Sequence, residues 1–249
     1  MTTCSQIKTF QQDKHYCLYD SNEIKSFVPE MLDASYWQKI NAVTGSAQGR
    51  GTTWFVKHSE KRNASEKHWV LRHYYRGGLI GKVINDHYWF SSQKDTRAAR
   101  EFALLDYMQQ LALPAPKPVA YRVTRHGLVY SADLLSSRIE HSQDLVALLS
   151  QQALSNALWK KIGVTIKRFH DNNIYHHDLN AHNILIDRNG NVFLIDFDRG
   201  EVRKNNKKSW QQANIARLQR SFLKEQNKLP IFHWHQGNWS ILLEGYLNH

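Results

Sequence analysis

The sequence predicts an α+β fold in two lobes, the first rich in strands and the second mostly helical. The N-terminal half contains short runs of β-forming residues and one amphipathic pattern over 96–111, with Phe102 and Met108 on its apolar face. The C-terminal half contains a longer helical pattern, a polar loop and two short apolar runs around Asn189-Gly190, a strong hairpin signal. The predicted strands of the first half are 52–56, 69–72, 119–124 and 128–131.

The order of these elements divides the chain into three parts. Residues 1–40 are mixed and polar, and we expect a partly irregular N-terminal extension with a short helix near 34–40. Residues 41–135 are predicted to form the N-terminal lobe, mostly an antiparallel sheet with one helix. Residues 136–249 are predicted to form a mostly helical C-terminal lobe with the polar loop and the hairpin. Asp133-Leu134-Leu135 is the predicted hinge between the lobes, and their boundary is placed near residues 133–143.

Composition indicates a globular protein of the cell interior. At 249 residues and 41% hydrophobic content, the chain is large enough to bury a substantial core. No run approaches the length of a membrane-spanning helix, and Met1 to Asp20 lacks the apolar region of a signal peptide. Cys4 and Cys17 are too few for a disulfide scaffold. These features predict a reducing, cytoplasmic setting.

The chain is strongly basic, with a formal net charge of +11 and a pI near 9.6. An excess of Lys and Arg favours an anionic partner, such as nucleic acid, an acidic lipid surface or a polyanionic substrate. Because no nucleic-acid-binding signature is present, no nucleic-acid partner is expected. An ordinary basic surface is the alternative explanation of the charge taken alone.

The most informative segment runs from His176 to Asn183 and is followed by Asp196-Phe197-Asp198. Compared with the kinase signature H-R-D-L-x-x-x-N and a later D-F-G, it keeps the His, both Asp, the Leu and the Asn. Phosphoryl transfer needs a carboxylate near the acceptor hydroxyl and oxygen ligands that hold Mg²⁺ against the phosphates of ATP. We therefore predict Asp178 as the base, Asn183 and Asp196 as metal ligands, and ATP and Mg²⁺ as cofactors. The helix before the motif and the hairpin after it favour a protein-kinase-like fold over a surface loop with chance polar residues.

Candidate nucleotide-binding residues lie in the N-terminal lobe. Gly49 and Gly51 belong to a glycine-rich turn whose backbone N–H groups could approach phosphates, although a simple hairpin turn would also explain them. Arg72 ends a predicted strand where kinases have a phosphate-pairing Lys, and Lys82 is the competing candidate. Glu101 is the candidate partner of Arg72 or Lys82, and an ordinary surface glutamate is its alternative interpretation.

After Asp196 the chain departs from protein kinases. Asp198 replaces the glycine of D-F-G, no A-P-E follows, and the remaining chain is short, which predicts a reduced C-terminal lobe. Two other functions stay open: a small-molecule phosphotransferase of the aminoglycoside or choline kinase type, and a non-catalytic kinase-like binder of anionic membranes. Retention of a base together with metal ligands argues against the binder. The last long helical pattern, 209–226, exposes three basic side chains: Arg217, Arg220 and Lys224.

Four longer segments carry a resemblance to a known family. They are 49–55, 71–78, 178–185 and 195–200, and the likeness extends over most of the chain from Gly45. They resemble the bacterial kinases of 3-deoxy-D-manno-octulosonic acid (Kdo), which belong to the lipopolysaccharide-core kinases. The resemblance implies transfer of the ATP γ-phosphoryl group to the 4-hydroxyl of a Kdo residue on lipid A precursor. It also implies a peripheral location at the anionic surface of the inner membrane, on the cytoplasmic face, in a Gram-negative cell.

Overall fold

The computed structural model describes residues 6–49, 51–60, 65–75, 86–204 and 208–248. These residues form two compact units. The first unit contains the described parts of Met1–Gln110 and Lys117–Arg138, and the second contains those of Leu111–Pro116 and Ile139–His249.

The first unit is built on an antiparallel sheet that has eight strands among the described residues. The strands are β1 (Ile7–Gln12), β2 (His15–Asp20), β3 (Val43–Gln48), β4 (Thr52–His58), β5 (Lys67–His73), β6 (Tyr88–Trp89), β7 (Pro118–His126) and β8 (Val129–Ser137). Their order is β1-β2-β7-β8-β5-β4-β3, and β6 pairs with β8. Strands β7 and β8 are buried along most of their length, so they form the centre of the sheet. Gly127 in the turn between them has φ +66°, a left-handed conformation that glycine adopts readily.

Among the described residues of this unit, two α-helices accompany the sheet, α1 (Ala34–Lys39) and α2 (Arg97–Gln110). The buried face of α2 contains Phe102, Leu105 and Met108, in agreement with the predicted amphipathic pattern. Phe102 contacts Tyr121 of β7 edge to face, with ring centroids 5.3 Å apart. Helix α2 also buries Glu101, and burial of a carboxylate requires hydrogen-bond or charged partners.

Residues 6–40 do not form a separate extension, which corrects the expected division of the chain. Strand β2 pairs with β7, so that Cys17 lies opposite Arg122. Cys17, Leu32 and Trp37 are buried in the same core cluster as residues of β4 and β5. The short helix expected near 34–40 is present as α1. The N-terminal segment is therefore integral to the first unit.

The boundary between the units falls within the predicted region 133–143, but the predicted hinge segment does not form it. Asp133-Leu134-Leu135 lies inside β8 and is buried, and the units divide after Arg138 instead of after residue 135. The strand continues because β8 pairs with β7 on one side and with β5 on the other, and just beyond it Arg138 N donates to His68 O at 2.8 Å. A second difference is that the proline-rich segment Leu111–Pro116 belongs to the second unit.

The second unit is mostly helical. Its helices are α3 (Leu145–Leu149), α4 (Asn156–Asp171), α5 (Lys208–Lys228) and α6 (Gln236–Leu247). Its strands are β9 (Ser142–Asp144), β10 (Ile174–Tyr175), β11 (Ile184–Asp187), β12 (Val192–Leu194) and β13 (Glu201–Val202). They form a three-stranded sheet of order β12-β11-β9 and a separate β10-β13 pair.

Helices α4 and α6 approach each other closely through two glycines. A Cβ atom on Gly163 would lie 2.0 Å from Leu242 O, and one on Gly245 would lie 2.2 Å from Lys160 O. Neither distance is tolerated by real side chains, so the packing requires glycine at both positions. The close contact fixes α4, the helix that precedes the polar loop of the motif.

The structure confirms the predicted α+β class, with an antiparallel sheet in the first unit and a mainly helical second unit. Throughout the residues described above, no helix combines the length and the apolar character that crossing a membrane requires.

Candidate active site

The motif occupies the loop between β10 and β11, and the elements around it follow the predicted order. Helix α4 precedes the loop, and β11 and β12 follow it as an antiparallel hairpin with Ile186 opposite Val192. The hairpin turn contains Gly190 at φ +70°. Asp187 Oδ1 accepts the N–H groups of Asn189 at 2.9 Å and Asn191 at 2.8 Å, which closes the turn. Local sequence signals therefore position the loop between rigid elements.

His176 is the buried residue that ties the loop to the end of the hairpin. Its Nε2 lies 2.9 Å from Ile195 O, and its Nδ1 lies 3.1 Å from Asp178 N. A backbone N–H must donate and a carbonyl must accept, so Nε2 carries the proton and Nδ1 accepts. Burial lowers the pKa of His176, in keeping with a neutral imidazole. His176 thus holds the backbone of the predicted base and the strand end before Asp196.

Asn183 is oriented by the same loop. Its Nδ2 donates to Asp178 O at 2.9 Å, and its own backbone O accepts from Ile195 N at 3.0 Å. Because the amide nitrogen is occupied by the backbone, Oδ1 is the atom left to face a ligand. Asn180 closes the short turn before it by accepting the N–H groups of His182 and Asn183.

Asp196 follows β12 in an unusual conformation, with φ +62°. Left-handed backbone costs a non-glycine residue about 1–2 kcal/mol and is met more often at functional sites than elsewhere. The residues on both sides are fixed: Ile195 is bonded to His176 and Asn183, and Phe197 is fully buried against Phe169, with centroids 5.6 Å apart. The direction of Asp196 is therefore determined by its neighbours.

The pair Asn183 and Asp196 suits a magnesium ion in its donor chemistry. An amide oxygen and a carboxylate are hard oxygen ligands, and Mg²⁺ in phosphotransfer sites is held by few protein ligands together with substrate phosphates. Within the described part of the chain, no group of three or more His, Cys, Asp and Glu side chains could hold a metal by itself. Two oxygen ligands would leave the other coordination positions of such an ion to phosphate oxygens and water.

One face of α5 lines the loop from its beginning to its end. Asn214 bonds the backbone N and O of His176 at 3.3 and 3.1 Å. Arg217 Nη1 donates to Asp178 Oδ1 at 2.7 Å, and Ser221 Oγ accepts from Ala181 N at 3.0 Å. Positions 214, 217 and 221 recur at helical spacing, so one helix edge contacts successive residues of the loop. From the sequence, Arg217 is predicted only as an exposed basic residue, and neither Asn214 nor Ser221 is predicted to belong to the site.

In the first unit, Glu101 forms an ion pair with Arg72, one of the two basic residues predicted as its partner. Arg72 Nη2 lies 2.5 Å from Glu101 Oε1, and Tyr74 Oη donates to Glu101 Oε2 at 2.6 Å. Glu101 is 3% exposed, so both carboxylate oxygens are satisfied inside the unit. Burial raises the pKa of the Tyr74 hydroxyl, which keeps it a donor to the carboxylate. The competing candidate Lys82 lies outside the described residues.

The two glycines of the predicted phosphate loop form part of the turn between β3 and β4. Gly49 N donates to Gly51 O at 3.0 Å. A Cβ atom on Gly51 would lie 2.0 Å from the Tyr75 ring, whereas one on Gly49 would meet nothing closer than 3.8 Å. Packing against Tyr75 therefore explains the glycine at 51, and the contact of either glycine with phosphates stays a prediction.

Comparison with known proteins identifies the family. Residues 34–246 match the sequence model of the lipopolysaccharide kinase (Kdo/WaaP) family. A "3-deoxy-D-manno-octulosonic acid kinase" of Vibrio vulnificus is 46% identical over 92% of this chain and 93% of its own length. Proteins of the same name from Photobacterium profundum, 45% identical over 94% and 95%, and Mannheimia succiniciproducens, 44% identical over 96% and 98%, are similar in extent. A solved structure, that of the Cydia pomonella granulovirus kinase PK-1, is 17% identical with a TM-score of 0.45 and covers 71% of this chain and 59% of that chain. The extent of the family match and the identity to these curated relatives show that the chain belongs to the lipopolysaccharide kinase (Kdo/WaaP) family.

Proposed function

We propose that this protein is a Kdo kinase that transfers the γ-phosphoryl group of ATP to the 4-hydroxyl of a Kdo residue on lipid A precursor. Membership of a kinase family implies ATP as the donor, and the relatives' common name supplies the acceptor. The observation that carries the proposal is the loop geometry, in which His176 and Asn183 hold the Asp178 backbone while its carboxylate stays about half exposed. An exposed carboxylate on a fixed backbone suits a residue that must receive a substrate hydroxyl.

The proposed roles in the second unit follow from this arrangement. Asp178 orients the acceptor hydroxyl and accepts its proton as the oxygen bonds to phosphorus and the bond to the leaving ADP breaks. Asn183 Oδ1 and the Asp196 carboxylate are the proposed ligands of Mg²⁺. When bound, that ion neutralises charge on the phosphate oxygens and keeps them in line for transfer.

The proposed roles in the first unit concern the phosphates of ATP. Arg72 contacts Glu101 through Nη2, and a guanidinium carries further donors that can bind phosphate oxygens. Glu101 and Tyr74 then fix the direction of the Arg72 side chain, as an acidic partner fixes the phosphate-binding Lys of other kinases. Gly49 and Gly51 are proposed to let backbone N–H groups reach the same phosphates, and Lys82 stays the alternative to Arg72.

The proposal includes a peripheral location on the cytoplasmic face of the inner membrane. It is supported by the net charge of +11, because basic residues near an anionic lipid surface each contribute on the order of 1 kcal/mol to binding. Arg220 and Lys224 are exposed on α5 and are the proposed contact residues. Reversing both charges should reduce sedimentation with phosphatidylglycerol liposomes and weaken its dependence on salt, whereas reversal of the exposed Lys8 and Lys39 should change it less. Equal effects of the two reversals would contradict the assignment of this surface.

A transfer assay with radiolabelled ATP tests the catalytic proposal. Kdo-bearing lipid A precursor, free neutral sugars, an aminoglycoside, choline and a generic protein are offered in parallel at equal concentration. We expect label on the lipid acceptor alone, and only in the presence of a divalent cation. Label on an aminoglycoside or choline would favour the small-molecule phosphotransferase, and label on none of them would contradict catalysis.

A further inference from the structure

Arg217 is the basic side chain that α5 brings to the predicted base. The guanidinium and the Asp178 carboxylate are joined by a single contact of 2.7 Å from Nη1. The two side chains are 46% and 48% exposed, so this is a surface ion pair, and such pairs contribute little to stability. Its position beside the reacting group therefore calls for a functional explanation.

The helix segment that carries Arg217 is held against the loop, although the Arg217 side chain itself is half exposed. On the same face of α5, Asn214 and Ser221 each bond the loop backbone, one turn before and one turn after Arg217. The helix thus cannot slide along the loop without breaking these bonds. This register keeps the Arg217 side chain beside the predicted base.

The proposed acceptor is a sugar acid, and its carboxylate is close to the hydroxyl that reacts. In Kdo the carboxylate is carried by C2 of the ring, and the 4-hydroxyl is two ring bonds away. A cation that recognises this carboxylate must therefore lie within about one sugar ring of the base. Arg217 is in contact with the base, and its Nη2 and Nε can donate in the plane that suits a carboxylate.

We propose that Arg217 binds the carboxylate of the acceptor sugar and so selects an acidic sugar over neutral ones. The inference rests on the proposed function, because it takes the acceptor to be a Kdo residue. Arg217 keeps one donor on Asp178 and offers the others to the substrate. One side chain then places the 4-hydroxyl beside the base that accepts its proton.

The test combines an enzyme variant with a substrate analogue. Arg217→Gln and wild type are each assayed with a Kdo-bearing acceptor and with the same acceptor carrying a neutral carboxamide. For wild type, loss of the carboxylate should lower kcat/KM about 10- to 100-fold, the usual value for a hydrogen bond to a charged group. Arg217→Gln should lose a similar factor with the carboxylate acceptor and differ from wild type by no more than about twofold with the carboxamide.

Two further variants support the interpretation. Lys208→Gln removes one positive charge from the exposed first residue of the same helix, where the structure shows no ion pair with a described residue, and should retain near-normal kcat/KM with both acceptors. Arg217→Lys keeps the charge without the planar donor pair and should lie between Arg217→Gln and wild type.

The outcomes separate this inference from the proposed function. If the losses from Arg217→Gln and from the carboxamide multiply, Arg217 acts on Asp178 alone and the inference is wrong while the kinase assignment stands. If Lys208→Gln loses as much as Arg217→Gln, general basic charge is responsible and the inference is again wrong. If wild type phosphorylates no Kdo acceptor, the proposed function fails and this inference fails with it.

Discussion

Replacement of Asp178 by Asn should separate the chemistry of the loop from its folding. The two bonds that hold the residue's backbone, Asp178 N to His176 Nδ1 at 3.1 Å and Asn183 Nδ2 to Asp178 O at 2.9 Å, do not involve the carboxylate. The side-chain contact with Arg217 can be kept in part because an amide oxygen also accepts a hydrogen bond. Asp178→Asn therefore removes the proton acceptor and leaves the loop in place.

The expected magnitudes differ enough to be distinguished. The ion pair with Arg217 is about half exposed, and pairs of this kind contribute about 0–1 kcal/mol, which corresponds to a melting-temperature change below about 4 °C. Loss of a positioned base lowers turnover by about 10²-fold or more, or at least about 2.7 kcal/mol in the barrier. The variant should thus be folded and able to bind ATP but nearly inactive.

The assay is phosphoryl transfer from radiolabelled ATP to the Kdo-bearing acceptor, with melting temperature and ATP binding measured on the same preparations. Asp171→Asn is the matched control, since Asp171 is an exposed aspartate of the same unit that pairs with Lys167 outside the loop. It should retain near-normal turnover. Near-normal turnover of Asp178→Asn would refute the role of Asp178 as base, and a large fall in its melting temperature would refute the argument that its carboxylate is not structural.

Three further results are expected. ATP at about 100 times its Kd should stabilise the wild type by about 2.7 kcal/mol in thermal denaturation, and Asp196→Ala should abolish the Mg²⁺-dependent part; an unchanged shift would place the metal elsewhere. Arg72→Ala should raise the KM for ATP about tenfold or more and lower turnover. If Arg72→Ala leaves both values normal and Lys82→Ala impairs both, Lys82 and not Arg72 contacts the phosphates. Burial lowers the pKa of His170 from its ordinary 6.5 to about 4, so the unfolded chain binds a proton that the folded chain does not between those values. His170 should therefore contribute a fall of about 1 kcal/mol in the free energy of unfolding from pH 7 to 5.5, and His170→Gln should show a correspondingly shallower dependence; an equal slope would contradict this origin.

The parts of the fold that the sequence predicts well are those with strong local patterns. Helix α2 has an apolar face at helical spacing, and the β11–β12 hairpin has Asn189-Gly190 at its turn, so neighbouring residues alone determine each element. The N-terminal strands were missed because β1 is almost wholly exposed and shows no apolar alternation. Its partner β2 is held by pairing with β7, about a hundred residues away, through contacts such as Cys17 with Arg122.

The site divides in the same way. Asp178 and Asn183 fall in one short motif, and a hydrogen bond between them is nearly dictated by their spacing. The sequence predicts Arg72 or Lys82 as the partner of Glu101. Which of them pairs depends on how β5 packs against α2, and this is not encoded in the local sequence. Arg217 could not be connected with Asp178 from the sequence, since the spacing of α5 defines a helix face without saying what packs against it.

The replacement of the D-F-G glycine by Asp198 has a simple structural account. Glycine is favoured where φ is positive, and in this segment the left-handed residues are Asp196 at φ +62° and Arg199 at φ +61°, not Asp198. The backbone strain therefore lies at Asp196. It is maintained because the N–H and the C=O of Ile195 are both hydrogen-bonded and because Phe197 is fully buried. Aspartate tolerates this conformation better than most residues. The aspartate at 198 thus does not disturb the conformation of Asp196, the candidate metal ligand. The departure from the kinase signature is therefore no argument against catalysis.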